Sequence, residues 1–179
     1  MTASEAERFW RFSLDFYGQK EVRDACLFLQ DEGGLNVNLL LWCCWQAAQG
    51  RALTAAEIGE AVARIANWSG SVMQPLRSLR RQVKTGLEAN PGAEARQLLY
   101  ERLKAAELEA ERVEQALICR SAAAGAETAG SAPRDLAKGN LRAYMGIAGA
   151  PAGGRFRELR DRLADLLASP GGKPDEGGY

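Results

Sequence analysis

From Leu39 to Trp45 the chain reads Leu-Leu-Leu-Trp-Cys-Cys-Trp, without one polar side chain. Such a segment has no solvent face, so neighbours must cover it on every side. A buried strand can carry a run of this kind. Here Asn36 stands before it as a helix cap, Gln46, Ala47, Ala48 and Gln49 extend it, and Gly50 ends it. That length and those flanks suit a helix better than a strand. The expected fold is all-α: a compact bundle of about five to seven helices with this apolar helix at its centre.

Apolar periodicity elsewhere supplies the neighbours. Phe9, Phe12 and Phe16, beside Trp10, Leu14 and Tyr17, put a broad apolar face on a helix over 4–17, which Gly18 stops. Val22, Ala25, Cys26 and Leu29 share one side of a helix over 20–31. Thr54-Ala-Ala-Glu57 has the form of a capping box. Beyond it Ile58, Val62, Ile65, Val72, Leu76, Leu79 and Val83 form a stripe to residue 84, read as two helical segments in line with a kink at Pro75. Asn90-Pro91-Gly92 is a turn. Leu99, Leu103, Ala106, Ala110, Val113 and Leu117 then alternate by four and three, a narrow seam with Glu and Arg on the other faces. This helix is suited to packing on its own core or on another chain. Residues 125–131 read as a flexible linker, 133–145 as a short helix and 155–168 as a last amphipathic one. The implied organisation is a helical core domain over 4–90, a long amphipathic helix over 93–124, a C-terminal helical segment over 133–168 and a disordered tail over 169–179.

Composition narrows the functional classes. The chain has no histidine, which excludes Ser-His-Asp and Cys-His catalysis and every histidine-bearing metal site. Lys plus Arg equals Asp plus Glu, 23 each, which argues against a nucleic-acid binder. No apolar run reaches the roughly 20 residues needed to span a bilayer, and the first residues lack the basic-then-apolar pattern of a secretory signal. A cytoplasmic location is expected, where Cys26, Cys43, Cys44 and Cys119 stay thiols and, as small hydrophobes, stay buried. No catalytic residue, cofactor or metal is assigned.

Two groups of residues stand out as candidates. Asn36 and Asn38 precede the apolar helix; as ordinary structure they cap it and satisfy its first turn. As a site they line a pocket with Gln30 and Gln46, since a buried amide needs partners that a ligand can supply. Arg77, Arg80, Arg81 and Lys84 fall on one side of a helix, with no acidic residue between Glu60 and Glu88. As ordinary structure they are a solvated face near a helix C-terminus. As a site they dock an anionic partner, with Arg suited to bidentate recognition of carboxylate or phosphate.

The segments Phe9-Trp-Arg-Phe-Ser-Leu-Asp-Phe-Tyr, Ala25-Cys-Leu-Phe-Leu-Gln and Asn36-Val-Asn-Leu-Leu-Leu-Trp-Cys-Cys-Trp carry a resemblance. Over residues 5–90 the chain resembles the proteobacterial family catalogued as domain of unknown function 2390. The resemblance implies a small helical bacterial protein and transfers no activity. From the residues themselves, the expected function is a non-enzymatic interaction protein, a small helical adaptor or regulator. Its expected partner is another protein with an acidic surface, with a homodimer through the long helix as a further expectation. The rival is a small-molecule binder or helical enzyme using Gln30, Asn36 and Asn38. An RNA-associated protein using the basic stripe is third, because the net charge is zero, and no membrane role is expected.

Overall fold

In a computed structural model, residues 3–85, 92–120 and 130–168 are described. The Asn90–Pro91 part of the expected turn, most of the 125–131 linker and the 169–179 tail lie outside the described residues. Every regular element among the described residues is helical: α1 (Glu5–Tyr17), α2 (Lys20–Gly33), α3 (Val37–Ala48), α4 (Ala55–Trp68), a π-helical turn (Ser69–Met73), α5 (Gln74–Thr85), α6 (Ala93–Cys119), α7 (Pro133–Ile147) and α8 (Gly154–Ala168). With α4, the π turn and α5 counted as one continuous rod, these make seven rods, an all-α bundle as expected.

Local chemistry sets the helix starts. Ser4 caps α1 by accepting from the Glu7 amide, and Asn36 caps α3 by accepting from the Leu39 amide. The capping box forms as expected: the Glu57 amide donates to the Thr54 hydroxyl, and the Thr54 amide returns a bond to the Glu57 carboxyl at 2.7 Å. After α2, Gly34 takes a left-handed conformation with φ of 64°, which glycine adopts without a Cβ penalty. Gly33 beside it has a separate reason. A Cβ there would lie 2.7 Å from Cε1 of Phe156, so the Phe156 ring would have to shift to admit any larger residue.

Helix α3 is the centre. Every residue from Asn38 to Ala47 is buried, as a helix without a polar face requires. Its cover comes from both ends of the chain. Phe9 and Phe16 of α1, Val22, Cys26 and Leu29 of α2, Ile58 and Ile65 of α4, Ile118 of α6, Leu141, Tyr144 and Met145 of α7, and Leu159 and Leu163 of α8 share one apolar cluster with it. Helix α7 is its most extensive neighbour. Asn140, in α7, fixes that contact. Its Nδ2 donates to the carbonyls of Cys43 and Arg51, both at 3.1 Å, and its Oδ1 accepts from the Leu53 amide at 2.8 Å.

Near Pro75 the helix widens. In the π turn the Gln74 amide donates to the Ser69 carbonyl, one residue further back than in an α-helix. Pro75 has no amide to donate, and its ring needs room against the preceding turn. The wider turn supplies that room and carries Met73 into the core. Ser71 Oγ bonds back to the Asn67 carbonyl at 2.6 Å.

The long helix α6 buries Leu103, Glu107, Ala110, Glu114, Gln115, Ile118 and Cys119. Of the expected seam, Leu103 and Ala110 face the protein's own core, while Leu99, Ala106 and Val113 remain exposed. Two glutamates and a glutamine occupy buried places on the face that the seam reading assigned to solvent.

Candidate functional site

The two candidate groups meet α6 at successive turns. Asn36 and Asn38 project from the start of α3 toward Glu114, which is fully buried. Asn38 Nδ2 donates to Glu114 Oε2 at 2.7 Å and Asn36 Nδ2 donates to the same oxygen at 3.1 Å. Ser69 Oγ, the first residue of the π turn, donates to Oε1. The chain of bonds continues: Gln115 Nε2 donates to Asn38 Oδ1 at 2.8 Å, and Ser13 Oγ of α1 donates to Gln115 Oε1 at 3.2 Å. On the far side, the Asn36 amide donates to the Tyr144 hydroxyl at 2.8 Å. Five elements thus converge on one buried polar cluster. A buried polar group left unpaired is costly, so each bond here removes a penalty as well as adding an attraction.

The other two amides are elsewhere. Gln46 lies about 12 Å along α3 from Asn38 by helical rise, and its Oε1 accepts from Arg51. Gln46 Nε2 and Trp42 Nε1 are buried donors without an acceptor among the described residues. Gln30 is half-buried near the end of α2. Asn36 and Asn38 are therefore brought together, Gln46 sits apart from them, and the partners of the two asparagines come from α6.

The basic stripe divides in two. Arg77 turns inward, with Nε 3.2 Å from Glu107 and a terminal nitrogen 3.2 Å from Glu111. Arg80 also pairs with Glu107. The Glu107 side chain is only 12% exposed, so water screens these pairs far less than exposed ones. The hydrogen bond that Arg80 donates to the Glu107 carboxylate raises the Arg80 pKa further. Burial pushes the Glu111 carboxyl above its ordinary range; Arg77 opposes that shift, and the nearby Glu107 and Glu114 add to it. Arg81 and Lys84 stay exposed at the outer end of α5. No residue of α5 is buried, so its attachment to α6 rests on half-buried side chains and these ion pairs.

The family described as protein of unknown function (DUF2390) matches residues 8–118. The chain belongs to this family. No curated protein and no solved structure matches it. The DUF2390 match runs from α1 to α6 and takes in Ser13, Asn36, Asn38, Ser69, Arg77, Arg80, Glu107, Glu111, Glu114 and Gln115. Of the cluster just described, Tyr144 alone lies beyond it.

Sequence reasoning missed Ser13, Ser69 and Tyr144 of the cluster, and Glu107, Glu111, Glu114 and Gln115 of α6. A signal was present: Glu107, Glu111 and Glu114 recur at four and three, the spacing of one helix face. They were passed over because acids at that spacing ordinarily mark the solvent side. Among the described residues, no group of His, Cys, Asp and Glu is placed to hold a metal ion. All four cysteines are free and buried. Burial raises the Cys44 and Cys119 thiols to about 12 and the Cys26 and Cys43 thiols well above their ordinary value, so none is an activated nucleophile. No helix of the described residues is long and apolar enough to cross a membrane.

Proposed function

We propose that this DUF2390 protein is a non-enzymatic interaction module whose outer α5 surface docks another protein. The observation that carries the reading is that α5 contributes no buried residue while presenting Leu79, 46% exposed, beside the exposed Arg81 and Lys84. An exposed leucine with cations and no acid on the same helix suits a partner with an apolar patch and an acidic rim. The state of the asparagines supports the same reading. Asn36 and Asn38 have their partners inside the protein, which weakens the case for a ligand pocket there.

The test compares two exposed-surface variants with the wild type as bait in the native cell extract. Leu79→Ser combined with Arg81→Glu and Lys84→Glu should leave the melting temperature nearly unchanged, because exposed charges contribute only about 0–1 kcal/mol each. It should abolish capture of a stoichiometric protein partner. A matched variant on α8, Arg155→Glu with Arg157→Glu, should retain it. Retention of the partner by the α5 variant sinks the reading. A co-purifying metabolite in place of a protein would favour the pocket, and a nuclease-sensitive complex would favour RNA.

A further inference from the structure

The exposed side of α6 carries an ordered pattern. Ala95, Leu99, Arg102, Ala106, Glu109, Val113 and Ala116 are spaced four and three alternately, and all are exposed. Leu99 is 46% and Val113 43% exposed. This is the spacing of a helix-pairing seam, displaced from the face that α6 turns to its own core. The order along the stripe is the same from either end in chemical character. Ala106 is central, an opposite charge stands on each side of it, an aliphatic residue comes next, and an alanine closes each end.

We propose that this face pairs antiparallel with the same face of a second copy. A two-fold axis at Ala106 sets Arg102 of one copy against Glu109 of the other, Leu99 against Val113, and Ala95 against Ala116. Each contact occurs twice, as a closed symmetric interface requires. The alanines let the two backbones approach closely, and the paired stretch is about 32 Å long at helical rise.

The charges select this occupant. Arg102 and Glu109 take no ion pair among the described residues. The neighbouring charges on α6 are engaged: Lys104 with Glu101, Arg112 with Glu7, and Glu107 and Glu111 with the arginines of α5. Seven residues apart, Arg102 and Glu109 cannot reach each other within the helix. In a parallel pair each would face its own kind. The antiparallel arrangement satisfies both, and a second copy supplies both complements at the correct spacing. A two-helix contact falls at the small end of specific interfaces, so the dimer is weak and concentration-dependent.

Sedimentation equilibrium from about 1 µM to about 0.5 mM brackets association of this strength. The full chain should pass from monomer to dimer. Arg102→Glu and Glu109→Arg should each raise the dissociation constant by about tenfold or more, since each creates two like-charge contacts per dimer. The double variant should return to wild-type association, and an equimolar mixture of the two single variants should form a heterodimer. Ala106→Cys should give a disulfide-linked dimer on mild oxidation, because the native thiols are buried and do not compete. A chain that stays monomeric over this range overturns the proposal. So does a dimer indifferent to the single charge changes, or a double variant as weak as the singles.

Discussion

Glu114 is fully buried, and its acceptors serve Asn36, Asn38 and Ser69. Glu114→Ala would strand those three donors and leave a cavity, so the expected loss is about 3 kcal/mol or more, read as a shift in the urea midpoint. Glu114→Gln keeps the shape. Its carbonyl can serve both asparagines while its amide faces the Ser69 hydroxyl, which can also accept, so it should lie within about 1 kcal/mol of wild type. Equal losses for the two variants would show that the polar cluster is not what Glu114 contributes. The thiols give a second residue-level expectation. A native pKa raised by burial means that the folded protein holds its thiol protons more tightly than the unfolded chain. The associated stability is whole below the ordinary value of 9.0 and is lost as pH climbs toward the folded values, about 12 for Cys44 and Cys119. Each such thiol removes about 1.4 kcal/mol per pH unit across that window. Urea midpoints should therefore fall steeply between pH 9 and pH 11, and Cys44→Ala should flatten the slope. A flat profile would show that burial does not hold these thiols above their ordinary value in the folded protein. Asn36 was legible as a cap because capping is local chemistry. Its bond to Glu114 was not, because it joins residues 78 apart.

The helix α5 meets α6 through half-buried side chains and through the ion pairs of Arg77 and Arg80. Arg77→Ala with Arg80→Ala would leave Glu107 nearly buried without a cation, a situation that costs about 3 kcal/mol or more when the structure cannot relax. Here it can relax, since no residue of α5 is buried and detachment would let water reach the carboxyl. The loss should appear as local opening: amide exchange across Gln74–Thr85 accelerates while the α3 amides keep their protection. Arg81→Ala with Lys84→Ala should leave both unchanged. Unchanged α5 protection in the arginine variant would assign the attachment to Leu76 and Val83 instead. At this scale the apolar periods placed the helices to within about two residues, except that the long helix, read to residue 124, ends at Cys119. The capping box, a motif complete within four residues, forms as read. The π turn was not legible, because Pro75 announces only that the regular ladder must break and not how. The charged face of α6 misled for a related reason. Helical spacing reports which residues share a face, but burial of an acid depends on cations that another helix brings.

Over the whole molecule, the apolar run from Leu39 to Trp45 determined the architecture, since it demanded cover on every side and every other helix except α5 contributes side chains to that cover. Where that cover comes from was not legible. Helices α7 and α8 each carry five large apolar residues among Gly, Ala and Arg, but their periodicity says only that each has an apolar face and not which helix that face covers. Yet Leu141 is fully buried, Leu163 nearly so, Tyr144 bonds to the cap of α3, and Asn140 bonds to its middle and to the segment that follows it. The DUF2390 match ends at residue 118, so the matched segment holds the polar cluster except Tyr144, and lacks the part of the α3 cover that α7 and α8 supply. A fragment ending at residue 130 should consequently fail to fold as a cooperative unit. Removing α7 and α8 uncovers the α3 face that includes Cys43 and takes away the acceptor of the Leu53 amide. The side chains lost from the core cluster alone number five: Leu141, Tyr144, Met145, Leu159 and Leu163. Burial of one such side chain is worth about 1.5–3 kcal/mol, so their sum, about 7.5–15 kcal/mol, is comparable with the 5–15 kcal/mol or so that holds a typical domain together. The fragment should retain helical circular dichroism, bind a hydrophobic dye and melt without a sharp transition, as a compact state without fixed packing does. Addition of a separate 131–168 peptide should restore a cooperative melt if the deficit is only the missing cover. A fragment that melts sharply, without dye binding and without the peptide, would mean that residues 1–130 close over α3 by themselves.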